Sequence, residues 1–293
     1  MQSESGQVAV EWAALLLLIA LALGAAVAAS PSVDGRLFGG FVAHRLVCVV
    51  KGGCDDSDAE LARIYGQRDA GLVRRSLPGF VFERGEQQVP VDWRSCRSVE
   101  CASAPDDQDL DVHRTGNGGR VTVFTRLLRQ GRRRYIQYWS YYPTSNTAFA
   151  GSDRLWERSA IAQSLGRLFL GSTNYPGWHR DDWEGVAIRV DRDGARAMRV
   201  TSHGHWQWCK HPICRGSWGP ATGWTRVSKG SHAGHVPLIE LPGRGLRERT
   251  TTPEGIRLVP LEGLDRRRYQ RLDPDIAPPW LKDAYANPES PAS

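Results

Sequence analysis

Lysine is scarce in this chain: only Lys51, Lys210, Lys229 and Lys282 contribute to its 38 basic residues, and the rest are arginine. A GC-rich genome produces such a bias, so it does not by itself mark a basic binding face. Long basic runs are also missing. The densest, Arg132 to Arg134 and Arg266 to Arg268, are short and the net charge is only +6, which argues for solvated turns and against a nucleic-acid partner. There is no internal repeat and no excess of charge. With 41% hydrophobic and 24% charged residues in 293, wholesale disorder and a polytopic membrane protein are both excluded, and a sizeable core is possible.

No cysteine is left over. The six fall as three local pairs, Cys48 and Cys54, Cys96 and Cys101, Cys209 and Cys214, and none has the two-residue gap of a zinc knuckle. Disulfides are favoured over zinc, which places the body of the protein outside the cytoplasm.

One long apolar run exists, at the N-terminus. Trp12 to Ala29 carries no charge, and Glu11 is the only ionisable group between Glu4 and Asp34. As a helix, Val8 to Ala29 would be about 33 Å long, matching a hydrocarbon core. The segment before it has no lysine or arginine, contrary to an ordinary cleavable signal, although Ala26-Val27-Ala28 offers a small-x-small cleavage site. Gly6, Gln7 and Glu11 ahead of the apolar helix resemble the type IV prepilin signal, particularly that of the tight-adherence small pilins. The resemblance covers residues 5 to 29 and implies cleavage after Gly6, with Glu11 meeting a neighbouring subunit's amine. Pilin-like processing, an unprocessed membrane anchor and a cleaved signal peptide remain as alternatives.

Residues 31 to 71 read as a Gly-rich linker and a short helix with an acidic start near Asp55. Beyond them strand signals dominate. The arms Arg120 to Leu128 and Arg133 to Tyr142 flank a turn at Arg129-Gln-Gly-Arg, and Glu184 to Asp191 with Ala195 to Thr201 forms a second hairpin. Further strands are expected at 79–83, 222–227 and 236–241. An amphipathic helix is predicted between the hairpins, from Asp153 to Gly171, with Ile161, Leu165, Leu168 and Phe169 on one face. From Asp273 onward, five prolines in 21 residues describe an extended or disordered tail. The fold class is thus mainly β, an antiparallel β-sandwich over residues 72–272 with one inserted helix.

Eight of the eleven tryptophans and five of the eight histidines lie between Trp139 and His232. They gather around Trp178-His-Arg-Asp-Asp-Trp-Glu184, Thr201-Ser-His-Gly-His-Trp206 and Lys229-Gly-Ser-His-Ala-Gly-His235. Strand alternation puts Asp182 and Glu184 on one face, and His203 and His205 on another. Such carboxylates and imidazoles suit a divalent cation (calcium, magnesium, manganese or zinc), or else ion pairs with Arg180 or Arg189.

The motif His179 to Glu184 resembles the heart of the necrosis- and ethylene-inducing-like proteins and of the related vacuolar-protein-sorting-associated family. Tyr138-Trp-Ser-Tyr-Tyr-Pro143, Ser202-His-Gly-His205, Gly230-Ser-His-Ala233 and Pro78 to Trp93 follow the latter family's order, so the similarity spans about residues 72 to 241. The resemblance implies a sandwich with its motif loops at one end and a cation held by His179, Asp182 and Glu184. Ser145 and Asn146 stand where the family has a further Asp, leaving Asn146 as a fourth candidate ligand, and Asp181 replaces a family His. It also implies a sugar-headgroup ligand, for which Trp178, Trp206, Trp208, His203, His205 and His232 are the candidate contacts, while Trp139 and Trp183 are assigned to the core.

Three functions are compatible with these features. One is an envelope-anchored recognition module for a glycan or lipid headgroup, held in the membrane by the N-terminal helix. Another is a metal-assisted hydrolase using His203 or His232, although adjacent Ser202 and His203, or Ser231 and His232, point to opposite faces and make no dyad. The third is a structural minor pilin whose partners are pilin-like subunits.

Overall fold

The computed structural model describes residues 57–86, 88–96, 98, 102, 121–145, 159–170, 177–202, 204–207, 217–238, 240 and 245–293. The prepilin-like segment with Gly6, Gln7 and Glu11 lies outside these residues, and among the described residues no helix is long and apolar enough to cross a membrane.

Two helices come first, α1 (Ser57–Tyr65) and α2 (Gln67–Ser76). Leu61, Ala70, Val73 and Leu77 bury their apolar edge in the common core, and the Tyr138 hydroxyl donates to the Val73 carbonyl at 2.6 Å. This helical pair is therefore part of the sandwich's packing.

The larger sheet runs β11-β2-β3-β4-β5-β6, with β7 paired to β5. Its centre is β2 (Thr122–Gln130), β3 (Arg133–Ser145), β4 (His179–Val190) and β5 (Arg196–Ser202), antiparallel throughout. Aromatic and β-branched residues on these arms form strands because they pack well on a pleated, half-buried surface. The first turn sits at Gly131 with φ 57°, a left-handed conformation that glycine adopts without a Cβ clash. The sheet is completed by β6 (His205–Gln207), β7 (Gly219–Pro220) and β11 (Arg257–Pro260).

The smaller sheet has the order β10-β1-β8-β9, from β1 (Gly79–Glu83), β8 (Trp224–Val227), β9 (Gly234–His235) and β10 (Leu246–Thr251). Its inner residues Phe80, Phe82 and Val227 join Trp139, Val186, Ile188 and Val200 of the larger sheet in one core. The sheets approach closely where a Cβ on Gly234 would stand 2.9 Å from Val200.

The sandwich is not wholly antiparallel as expected. β1 pairs parallel to β8 and β11 parallel to β2, since the chain between each pair is long enough to cross over. Of the run expected as a strand at 236–241, the described residues 236–238 and 240 form none, and only the short β9 lies before it, because Pro237 cannot donate to a ladder.

Inserted between β3 and β4 is α3 (Ala160–Leu170). Its first turn is capped by Ser159, whose hydroxyl accepts from Ala162 N at 3.1 Å; Asp153, the expected cap, lies outside the described residues.

The C-terminal segment is ordered and packed. Trp280 meets Trp183 and Tyr269 at 6.0 and 5.1 Å, and Ala284 and Tyr285 of the short α4 (Asp283–Ala286) are buried. Glu289 accepts from Tyr135 and Trp218 at 2.6 and 2.7 Å. The prolines prevent long helices or strands here, but the aromatic residues among them supply apolar area to dock an extended chain.

Of the six cysteines only Cys96 is described; it is disulfide-bonded. No disulfide joins two described residues, so the expected three local pairs are not found among them, and the partner of Cys96 lies outside them. Cys48, Cys54, Cys101, Cys209 and Cys214 are likewise outside.

Candidate functional site

The end of the larger sheet where β3 stops and β4 begins carries a polar pocket of about 310 Å³. Its walls include Ser145, His179, Asp182, Glu184, Ser231 and Lys282, with Asp275 to Ala277 along one side. Ser145 and His179 are register partners, so both edges of the excursion bearing α3 open at this pocket.

Asp182 and Glu184 share the pocket face, as alternation along β4 requires. Gly185 between Glu184 and the core permits the close approach of Trp139, whose ring would lie 2.9 Å from a Cβ there. The Gly185 amide and Glu184 are both engaged by Thr201: the amide donates to its hydroxyl at 2.6 Å, and that hydroxyl donates to the Glu184 carboxylate. Half-buried and beside Asp182, Glu184 is raised to about 8, burial being the larger cause and the Asp182 charge the next.

Asp182 is partnered by His232, whose Nδ1 is 2.8 Å from Oδ2, while Nε2 lies 3.7 Å from Glu86. The imidazole is only 1% exposed and stacks on Tyr142 at 3.8 Å. Burial pulls its pKa down, but the Glu86 charge and the Asp182 hydrogen bond outweigh it and raise the group to about 9. The same His232 charge, with the Gly230 and Gln88 amides, holds Glu86 below the usual carboxylate range against its own burial. His232 can point inward because its loop is pinned: Glu83 accepts from Lys229 N at 2.9 Å, Glu86 accepts from Gly230 N at 2.6 Å, and His232 itself adopts φ 52°.

Lys282 arrives from the C-terminal segment. Its ammonium donates to the Trp183 carbonyl at 3.3 Å and lies 5.3 Å from the Trp139 ring. Burial lowers its pKa, against the pull of Glu184 and Asp182. The segment is latched upstream by Asp181, a fully buried residue at φ 60° that accepts from the Tyr141 hydroxyl at 2.9 Å and from the Leu272 and Asp273 amides.

These contacts correct the metal reading. Among the described residues no group of three or more His, Cys, Asp or Glu side chains could hold a metal ion, so a calcium, magnesium, manganese or zinc cofactor and a metal-binding role for His179, Asp182 and Glu184 are withdrawn. The physical reason is visible in the partners. Asp182 is neutralised by His232, Glu184 accepts from Thr201, the His179 Nδ1 faces the Arg180 carbonyl at 3.1 Å, and the positive charge in the pocket is Lys282. Asn146, the fourth candidate, lies outside the described residues.

Of the candidate ligand contacts, Trp206 is fully buried against Trp139 at 5.9 Å and under the Arg199 guanidinium, so it is a core residue. His232 is likewise internal. Trp178 is half-buried below the Arg180 guanidinium, His205 is exposed and bridges to Ala292, and His203 and Trp208 lie outside the described residues. Trp139 and Trp183 belong to the core as expected. Sequence reasoning missed Glu86, Thr201, Ser231 and Lys282. Glu86, Thr201 and Ser231 stood within the motifs of the sequence, whereas Lys282 had as its signal only the tryptophan and tyrosine on either side of it.

No protein-family model matches this sequence, and no curated protein matches it. Among solved structures it is similar to NLPPya in complex with glucosamine, at 16% identity over 67% of this chain and 73% of that one, with a TM-score of 0.35. It is also similar to Necrosis and Ethylene inducing Protein 2 from the causal agent of cocoa's witches' broom disease, at 14% identity over 65% and 74% with a TM-score of 0.33. Non-toxic HaNLP3 is similar at 12% identity over 66% and 75%, with a TM-score of 0.31.

Proposed function

We propose that the chain is an extracytoplasmic recognition module, displayed from the cell envelope by its N-terminal apolar helix, whose pocket binds a neutral, hydroxyl-rich group such as a sugar. The observation that carries this reading is the mixture of hydrogen-bond donors and acceptors that lines the pocket. Asp182 is hydrogen-bonded to His232, and Glu184, its pKa raised to about 8, shares the pocket wall with the Lys282 ammonium, so the site offers both hydrogen-bond donors and acceptors to a ligand's hydroxyls. Hydroxyls of Ser145 and Ser231 add exchangeable hydrogen-bond partners, and the volume suits a single sugar ring at the small end of ligand sites, about 300 Å³ and upward. The bonded Cys96 supports an oxidising compartment.

Metal-assisted hydrolysis gains no support: His232, a candidate acid or base, is sealed between Asp182 and Glu86. For the minor-pilin reading, a mature chain beginning at Gln7 in mass spectrometry remains the test.

Glycan-array binding by the detergent-solubilised full chain tests the proposal, beside Ser231→Tyr, which fills the pocket from its rim. Binding to a defined glycan set that Ser231→Tyr abolishes, with its melting temperature kept, is expected. An array without hits, or hits that survive Ser231→Tyr, overturns it.

A further inference from the structure

Four of the six large apolar side chains exposed among the described residues lie on α3: Ile161 and Phe169 at 75%, Leu168 at 74% and Leu165 at 49%. Their spacing of four, three and one places them on a single stripe. On the other side Gly166 is buried and Ala162 and Gln163 are half-buried. The helix thus turns its apolar stripe outward while Ala162, Gln163 and Gly166 are the covered positions, the reverse of an ordinary surface helix.

A lipid surface fits this stripe. Arg167, exposed beside Leu168 and Phe169, is the helix's single charged residue, and no acidic group accompanies it. A guanidinium flanking bulky apolar residues is the arrangement that meets lipid phosphates while the stripe enters the acyl boundary. The sequence also brings the domain near such a surface: 27 residues, 30 to 56, separate the apolar run ending at Ala29 from α1, a reach of at most about 95 Å of extended chain. The excursion bearing α3 leaves the sheet at Ser145 and returns at His179, both at the pocket.

We propose that α3 is an interfacial helix that lies on a bilayer, with Ile161, Leu165, Leu168 and Phe169 in the acyl boundary and Arg167 at the phosphates. For proximity alone, this rests on the envelope-anchored reading above.

The test is photolabelling of the full chain reconstituted in phosphatidylcholine–phosphatidylglycerol vesicles containing a phospholipid with a diazirine on its acyl chain, followed by peptide mapping. Adducts within 160–170 are expected, and the Leu168→Ser, Phe169→Ser double variant should lose them at least about fivefold while labelling at 8–29 is kept. Both substitutions are at exposed positions, so an unchanged melting temperature certifies the fold. Adducts confined to 8–29 overturn the proposal, as does a helix shielded in a dimer that the double variant dissolves. Labelling of α3 without labelling of 8–29 supports the interfacial helix and refutes the anchor instead.

Discussion

Replacing His232 with Asn isolates the charge at the centre of the site. Asn tolerates the left-handed backbone found there and keeps a donor for Asp182, but it cannot carry the positive charge between Asp182 and Glu86. The imidazole rises from an ordinary 6.5 to about 9 in the folded chain, and such a displacement corresponds to about 3 kcal/mol of folding free energy at 1.36 kcal/mol per pH unit. Because the folded value is the higher one, this stabilisation is fully present below pH 6.5 and is lost as pH rises through about 9. Urea unfolding of wild type and His232→Asn at pH 6 and pH 9.5 reads it directly. The gap at the lower pH should exceed that at the higher by up to about 3 kcal/mol, or about 6–12 °C in melting temperature for a domain of this size, leaving the packing loss alone as the imidazole deprotonates. The ionisation of Glu184 acts in both chains and largely cancels in the difference. A gap of equal size at both pH values would mean that ring packing on Tyr142, and not charge, is what His232 contributes.

Glu184→Gln should become progressively more stable than wild type as pH rises from 4.5 to 8, by about 2 kcal/mol after discounting for its partial exposure, since a carboxylate raised to about 8 penalises folding once it ionises in the unfolded chain; equal pH profiles refute this. Excess EDTA should leave the wild-type melting temperature unchanged, and a drop would reinstate a bound cation. Lys282→Met should raise the Glu184 titration seen by carbon NMR and destabilise by about 1–3 kcal/mol above pH 8, with an unmoved titration counting against the pairing. Asp181→Asn weakens the hydrogen bonds to Leu272 and Asp273, so their amides should exchange at least tenfold faster, equivalent to about 1.4 kcal/mol; unchanged protection would remove the latch.

How much of this was legible in the sequence depended on how local each cause is. The hairpin of β2 and β3 was readable because alternation and a glycine turn act within a few residues, and the single face shared by Asp182 and Glu184 follows from strand geometry alone. The apolar stripe of α3 was also readable, but periodicity gives the stripe and not the direction it faces. Trp206 was misplaced as a ligand contact although Gly204, with φ 73°, permits a tight turn that pairs Trp206 with Thr201 and sends its ring inward. The C-terminal segment was misread for a different reason. Proline content speaks only to backbone hydrogen bonding, whereas Trp280 and Tyr285 carry enough apolar surface to dock the segment.

The charge balance of the site shows where motif reading stops. A motif such as Asp181-Asp182-Trp183-Glu184 places carboxyls on the end of a strand and requires that something positive meet them or that one keep its proton, as the raised Glu184 does, because burial of unpaired carboxylates is too costly to persist. It does not specify the source of that charge. A bound cation satisfies the requirement, and so do protonated side chains brought in by distant segments. In this chain His232 comes from a loop pinned by Glu83 and Glu86, and Lys282, one of only four lysines, comes from a segment latched to Asp181. The pinned loop and the latched segment therefore do the electrostatic work that the motif alone assigned to a metal.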